Sequence, residues 1–89
     1  MDYEYQKYPI SVVSLAAEIN RVINDYNARR ISNDDLYEII YWYAHNCADL
    51  LFCGQDYITS IKKICGQRRI RLINSVLSGL QFSFFKEGT

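Results

Sequence analysis

Apolar side chains recur at helical spacing through the first third of the chain. Ser11 follows Pro9 and is a candidate N-cap, because its hydroxyl can accept a hydrogen bond from the N–H groups of a first turn. Behind it, apolar residues fall three and four positions apart and would form one helical stripe: Val12, Leu15, Ile19, Val22 and Tyr26. Since Asn tolerates left-handed backbone, the pattern predicts a helix that ends near Asn27.

A second amphipathic helix is predicted to begin after Ser32. Asp35 lies three positions later, which approximates a capping box, and the acidic residues there suit the positive end of a helix dipole. The apolar stripe consists of Leu36, Ile39, Ile40, Tyr43 and Cys47. The following "ADLLFCG" either ends this helix or forms a short connection, with Gly54 as the residue that follows the helix end.

Two further helices are predicted on either side of Gly66. The first would run from about residue 56 to 65, with Asp56 as a candidate cap and an apolar stripe of Ile58, Ile61, Ile64 and Cys65. Gly66 would end it. The second would run from about residue 67 to 78, with Ile70, Ile73, Val76 and Leu77 inward, and Gly79 would end it.

The ends of the chain differ from its middle. Residues 1–10 carry three tyrosines and a proline, which predicts an extended arm. The apolar segment 80–89 alternates at Leu80, Phe82 and Phe84, which predicts an extended tail that packs on the core and pairs with the arm. Residues 11–79 would form the helical domain. The predicted fold class is all-α, a compact bundle of about four short helices.

Charge is segregated along the 89 residues, although the formal net charge is zero. Residues 1–56 hold nine acidic and four basic side chains, and residues 57–89 hold one acidic and six basic side chains. A protein that coats nucleic acid through counterion release usually has a net positive charge. The segregation favours a charged partner surface or head-to-tail self-association.

A basic stretch lies around Gly66 and contains Lys62, Lys63, Arg68, Arg69 and Arg71. The stretch has the outline of a helix-turn-helix, because a glycine separates one helix from a second helix that begins with arginines. In that motif Gln67, Arg68 and Arg71 would be able to reach a base edge or a phosphate. Two features disfavour that motif, because the glycine has almost no loop after it and Lys62 occupies a position that needs a small residue. Three interpretations stay open: a solvated face or one that forms ion pairs with Asp34, Asp35 or Glu38, a surface for a protein partner, and a nucleic-acid contact.

The cysteines and the histidine give no pattern typical of a metal or catalytic site. The three cysteines form no closely spaced pair, and His45 and Cys47 would point to different sides of a helix. We therefore expect no enzyme activity, no metal and no cofactor, and we expect each cysteine to be a small buried apolar residue. An odd cysteine count without a signal peptide predicts a reducing cytoplasm, and no segment is apolar enough to span a membrane.

The chain has more aromatic residues than fit the predicted buried stripes of its helices. Tyr41, Trp42 and Tyr43 would span about 200° of a helix surface, so at least one ring should be exposed or contact another chain. Tyrosine is also frequent at interfaces. The expected interface members are Tyr3, Tyr5, Tyr41 and Trp42.

Two long stretches resemble a known family: "SLAAEINRVINDYNARRISNDDLYEII" and "LLFCGQDYITSIKKICGQRRIRLINSVL". They are similar to small conserved hypothetical proteins of Firmicutes and their mobile elements. The resemblance covers about residues 10–77, and Gly66, Arg69 and Leu72 match the most recognisable motif. It implies a compact helical fold and no particular activity.

These observations together predict a small non-catalytic binding or regulatory protein with a macromolecular partner, in the first place a protein. The expected contact residues are Lys62, Lys63, Arg68, Arg69, Arg71, Tyr41 and Trp42. One alternative is a nucleic-acid-binding regulator that uses the basic stretch. The other is self-assembly, in its simplest form as a homodimer.

Overall fold

Four helices and one short hairpin build residues 4–79, the part of the chain that the computed structural model describes. The elements are α1 (Val12–Asn27), α2 (Asn33–Asn46), α3 (Ala48–Leu51), β1 (Phe52–Cys53), β2 (Asp56–Tyr57) and α4 (Thr59–Gly79). The prediction of an all-α bundle is confirmed. The predicted tail 80–89, its pairing with the arm, and Tyr3 lie outside the described residues.

The predicted cap of α1 is confirmed, and the predicted stripe faces the core. Leu15, Ile19 and Val22 are buried, and the two stripe residues at the helix ends, Val12 and Tyr26, are partly buried. The Ser11 hydroxyl accepts a hydrogen bond from the Ser14 N–H at 3.0 Å, and the helix ends at Asn27. Left-handed backbone occurs two residues later, at Arg29 with φ 63°. Hydrogen bonds from the N–H groups of residues 28–30 back to the carbonyls of the last turn close this end of the helix.

A complete capping box starts α2. The Ser32 hydroxyl accepts from the Asp35 N–H at 3.2 Å, and the Asp35 carboxylate accepts from the Ser32 N–H at 3.0 Å. All five residues of the predicted stripe are buried: Leu36, Ile39, Ile40, Tyr43 and Cys47. The sequence therefore predicts both the beginning and the buried face of this helix correctly.

The hairpin between α3 and α4 replaces a predicted helical turn. Phe52 lies opposite Tyr57 and Cys53 lies opposite Asp56 in this hairpin. The prediction that a helix begins at about Asp56 is therefore wrong. Asp56 accepts a hydrogen bond from the Tyr57 N–H at 2.7 Å and caps no helix, since α4 begins only at Thr59.

Gly54 makes the turn of this hairpin and does not end α2. Its φ is 66°, and the only non-glycine residue with positive φ in residues 4–79 is Arg29. Positive φ at the first of two turn residues, and not at the second, is typical of a type II′ turn. The rings of Phe52 and Tyr57 lie 5.3 Å apart across the strands. Such aromatic cross-strand pairs stabilise hairpins. The chain therefore forms a hairpin before Ile58, although the helical spacing of Ile58 and Ile61 predicts an earlier beginning of the helix.

Gly66 interrupts α4, as predicted. Its φ of 84° and ψ of 163° are non-helical, and this backbone region is accessible essentially only to glycine. A Cβ at this position would meet no atom within 4 Å, so the backbone conformation, and not lack of space, favours glycine. The helical segments before and after Gly66 therefore follow different directions.

The core lies where α1, α2 and α4 meet, and its largest fully buried side chain is Tyr43. Leu15 and Ile19 of α1, Leu51 of α3 and Ile73 of α4 are likewise almost completely inaccessible to water. The radius of gyration is 12.2 Å, near the value of about 12 Å that a compact domain of this length has. Within residues 4–79, none of the helices has the length and apolar character needed to cross a bilayer.

Candidate functional site

The side chains of the basic stretch fall into two groups: those that bind to other described residues of the chain and those that do not. Lys62 belongs to the first group, because its ammonium forms an ion pair with Asp56 in the hairpin. The hydrogen bond from Lys62 is the main cause that lowers the pKa of the Asp56 carboxyl below its usual value. Both side chains are largely exposed, so this pair contributes little to stability.

Arg69 is half-buried between α1 and α4 rather than exposed as a contact residue. Its Nη2 donates to Asn24 Oδ1 at 2.9 Å and its Nη1 donates to the Cys65 carbonyl oxygen at 3.2 Å. Its Nε is inaccessible to water and has no hydrogen-bond acceptor. The guanidinium is therefore held in place by two of its nitrogens, while the third keeps an unused donor.

Lys63, Arg68 and Arg71 are exposed and form no hydrogen bond or ion pair through their side chains within the described part of the chain. The ion pairs to Asp34, Asp35 or Glu38 that the sequence left open are thus not formed by these residues. We call Lys63, Arg68 and Arg71 the unpaired basic residues. Of the five cations expected to contact a partner, these three are available for one.

Two cavities, each of about 400 Å³, adjoin Asn27 at the end of α1. One lies between α1 and α4 and is lined by Ile23, Asn27, Arg68, Arg69 and Leu72. The other lies at the connection from α1 to α2 and is lined by Tyr26, Asn27, Arg29, Ile31, Ser32 and Asn33. Arg29 comes from the acidic half of the sequence and lines a different cavity from Arg68 and Arg69.

The aromatic run of α2 faces two environments. Tyr41 is 42% exposed and stacks on His45, with 5.9 Å between ring centroids. The expectation that at least one ring of the run is exposed is therefore confirmed. Trp42 is half-buried instead, because its indole N–H donates to the Lys7 carbonyl oxygen at 3.0 Å and Tyr8 packs edge-on against its ring.

The N-terminal arm is fixed to the helices by contacts that the sequence did not reveal. Tyr5, expected at an interface, is buried within the chain, and its hydroxyl donates to the Asp25 carboxylate. Burial, and then this hydrogen bond, raise the pKa of Tyr5 to about 12. The Arg21 guanidinium lies 5.1 Å from the centre of the Tyr5 ring, and Tyr43 donates to the Gln6 carbonyl oxygen at 2.6 Å.

The three thiols are free and differ in exposure. Burial raises the pKa of Cys47, and it raises that of Cys65 to about 11, so both thiols are poor nucleophiles. Cys53 is exposed at the hairpin, which contradicts the expectation of three buried cysteines. In residues 4–79, His, Cys, Asp and Glu side chains do not assemble into any group of three that could hold a metal.

Residues 6–78 match a family described as conserved hypothetical protein. The match includes all helices of the described structure except the last residue of α4, and it also includes the arm residues that contact α2. No curated protein and no solved structure matches the chain. Because the matched segment is most of the chain, the protein belongs to this family of conserved hypothetical proteins.

Proposed function

We propose that this chain is a non-catalytic binding protein whose partner is a macromolecule, in the first place a protein with an acidic surface. The observation that carries the proposal is the exposure of Lys63, Arg68 and Arg71 without an ionic partner in residues 4–79. Complementary charge raises the rate and specificity with which a partner binds. Arginine is also enriched among the residues that dominate binding energies.

A protein surface suits these cations better than a nucleic acid does. Affinity for nucleic acid grows with the number of phosphates neutralised, and Lys62 and Arg69 are engaged within the chain. The remaining three cations accompany a net charge of zero, so a nucleic acid would meet little long-range attraction. A nucleic-acid-binding regulator is therefore an outcome of the test and not our first proposal.

The finer proposals concern mechanism and setting. The raised pKa values of the Cys47 and Cys65 thiols support a non-catalytic role. Three free thiols suit a reducing compartment, which supports the cytoplasm as location. The resemblance of residues 10–77 to small conserved hypothetical proteins of Firmicutes supports a regulator encoded by these bacteria or by one of their mobile elements.

The test is capture of partners from a lysate of the producing organism with the full chain as bait. We expect captured material that is lost on protease treatment, retained on nuclease treatment and strongly reduced by Arg71→Glu. Lys7→Glu is the matched control, since it makes the same charge change at another exposed cation. Equal capture by both variants would refute the role of the unpaired basic residues. Nuclease-sensitive capture, together with salt-sensitive binding to duplex DNA, would favour the nucleic-acid function.

Self-association is a second candidate, favoured by an aromatic stripe on α2. Tyr37 is 39% exposed, and Tyr41 and His45 follow at four-residue intervals, so the three lie on one helix face. Trp42, which was expected to take part, lies under the arm. Sedimentation should show a concentration-dependent homodimer that Tyr37→Ala and Tyr41→Ala weaken. A monomer at high concentration would refute this candidate.

A further inference from the structure

Among residues 4–79, the cavity between α1 and α4 is lined by positive and apolar groups and by no carboxylate. Arg68 and Arg69 line it together with the amide of Asn27, and Ile23 and Leu72 supply the apolar walls. Two guanidinium groups give the lining a charge of +2. Arg68 has no ionic partner among residues 4–79, so this charge is not neutralised within the described chain.

Arg69 is positioned before any ligand arrives. Hydrogen bonds to Asn24 at 2.9 Å and to the Cys65 carbonyl at 3.2 Å fix the guanidinium, so little side-chain entropy remains to be lost on binding. Its Nε–H is buried without an acceptor, which is unfavourable and uncommon in proteins. Each Nη nitrogen carries a second N–H besides the one that donates within the chain, so an anionic oxygen that reaches the guanidinium from the cavity would meet an unused donor.

The negative charges of the described residues near the cavity do not neutralise the +2 charge of Arg68 and Arg69. The C-terminal end of α1 is equivalent to about −0.5 charge. Asp25 is already engaged by Arg30 at 3.1 Å. Among the described residues, the two cavity arginines therefore exceed this negative charge by more than one unit. A phosphate monoester, with a charge of about −1.5 to −2 at neutral pH, matches this surplus better than a single carboxylate does.

The size and walls of the cavity indicate that the anion carries an apolar body. About 400 Å³ is in the lower range of small-molecule sites and is more than a bare anion needs. Ile23 is 2% exposed and belongs to the core, so this wall is part of a rigid surface. We propose that the cavity binds a small organic phosphate monoester, whose phosphate contacts Arg68 and Arg69 and whose body contacts Ile23 and Leu72.

The test is an NMR titration of the full-length, ¹⁵N-labelled chain at constant ionic strength. The probes are phenyl phosphate, inorganic phosphate and benzoate. We expect phenyl phosphate to shift the Arg69 Nε–H signal and the Asn27 and Leu72 amides saturably. It should bind about tenfold more tightly than inorganic phosphate, because the ring removes apolar surface from water. Benzoate should bind more weakly than phenyl phosphate, because it carries less charge.

Two matched variants separate this site from the unpaired basic residues as a whole. Arg68→Gln should weaken phenyl phosphate binding about tenfold or more, since the lost contact is a charge-assisted hydrogen bond. Arg71→Gln should leave binding within about twofold, because Arg71 does not line the cavity. Both residues are exposed, and retained dispersion of the spectrum will show that each variant is folded.

Three results would overturn the proposal. They are shifts that do not saturate, equal binding by Arg68→Gln and the unaltered chain, and benzoate or inorganic phosphate binding as tightly as phenyl phosphate. The outcome is independent of partner capture, which depends on Arg71. A chain that binds phenyl phosphate but captures no partner would support the cavity site and refute the proposed function.

Discussion

The hydroxyl of Tyr43, in the middle of α2, donates a hydrogen bond to the backbone carbonyl oxygen of Gln6 at 2.6 Å. Tyr43 is fully buried, so the bond joins the arm to the centre of the core. Beside it, Trp42 donates to the next carbonyl of the arm. The arm is therefore part of the folded domain, although it contains no helix or strand between residues 4 and 10.

Replacing Tyr43 by Phe should lower the free energy of unfolding by about 1 kcal/mol, the typical net contribution of one hydrogen bond. Thermal unfolding should shift by about 4–8 °C. Tyr37→Phe is the control, since Tyr37 is 39% exposed and should change stability by less than about 0.5 kcal/mol. Equal stability of the two variants would contradict the fixed arm.

Replacing Gly66 by Ala should destabilise the protein by about 1–3 kcal/mol, because φ 84° and ψ 163° are strained for any residue with a Cβ. No atom lies within 4 Å of the added Cβ, so the cost is conformational and not steric. Urea unfolding will measure it. The neighbouring exposed residue gives the control Gln67→Ala, which should have little effect. A neutral Gly66→Ala would show that α4 can straighten at no cost.

Asp25 should make stability depend on pH in the acid range. The hydrogen bond from Tyr5, and then that from Arg30, lower the pKa of the Asp25 carboxyl in the folded state. A lowered folded pKa means that the stabilisation is present above the unfolded value of about 3.9 and is lost as the pH falls through the folded value. The urea midpoint of the unaltered chain should therefore fall more between about pH 5 and pH 2 than that of Asp25→Asn. Parallel curves would contradict this role of Asp25.

A thiol reagent should distinguish the three cysteines in the native protein. Cys53 is exposed, while Cys47 and Cys65 are buried with raised pKa values. At mildly alkaline pH we expect one rapidly reacting thiol, and the other two should react only when the protein unfolds. Cys53→Ser should abolish the rapid phase. A rapid phase that survives in Cys53→Ser would show that a buried thiol becomes accessible in the folded state.

Local signals predicted most of the helical fold. The N-caps Ser11 and Ser32, the stripe of α2 and the break at Gly66 all depend on interactions within a few residues, and the structure confirms each of them. The hairpin was missed because two-residue strands carry almost no periodic signal. The isoleucines that follow also fit a helical pattern, which hid the turn at Gly54.

The candidate sites were less predictable, because each depends on residues distant in the sequence. The sequence shows the basic stretch, but it does not show which of its side chains bind to other residues of the chain and which remain unpaired. Arg69 is engaged by Asn24, which lies 45 positions away. Trp42 donates a hydrogen bond to the carbonyl oxygen of Lys7, which lies 35 positions away. The sequence does not distinguish an exposed cation from one that points inward, because both can occupy a helix position at the edge of the apolar stripe.

By itself the sequence determined where α1 and α2 begin and which of their faces are buried, because capping and helical periodicity act over one or two turns. It also determined that α4 breaks at Gly66, because only glycine adopts that backbone readily. Only the tertiary structure decided which basic residues remain unpaired and that Arg68 and Arg69 share a cavity with Ile23. Charge pairing and cavity formation follow from how α1 and α4 pack, and this packing is a property of the whole core.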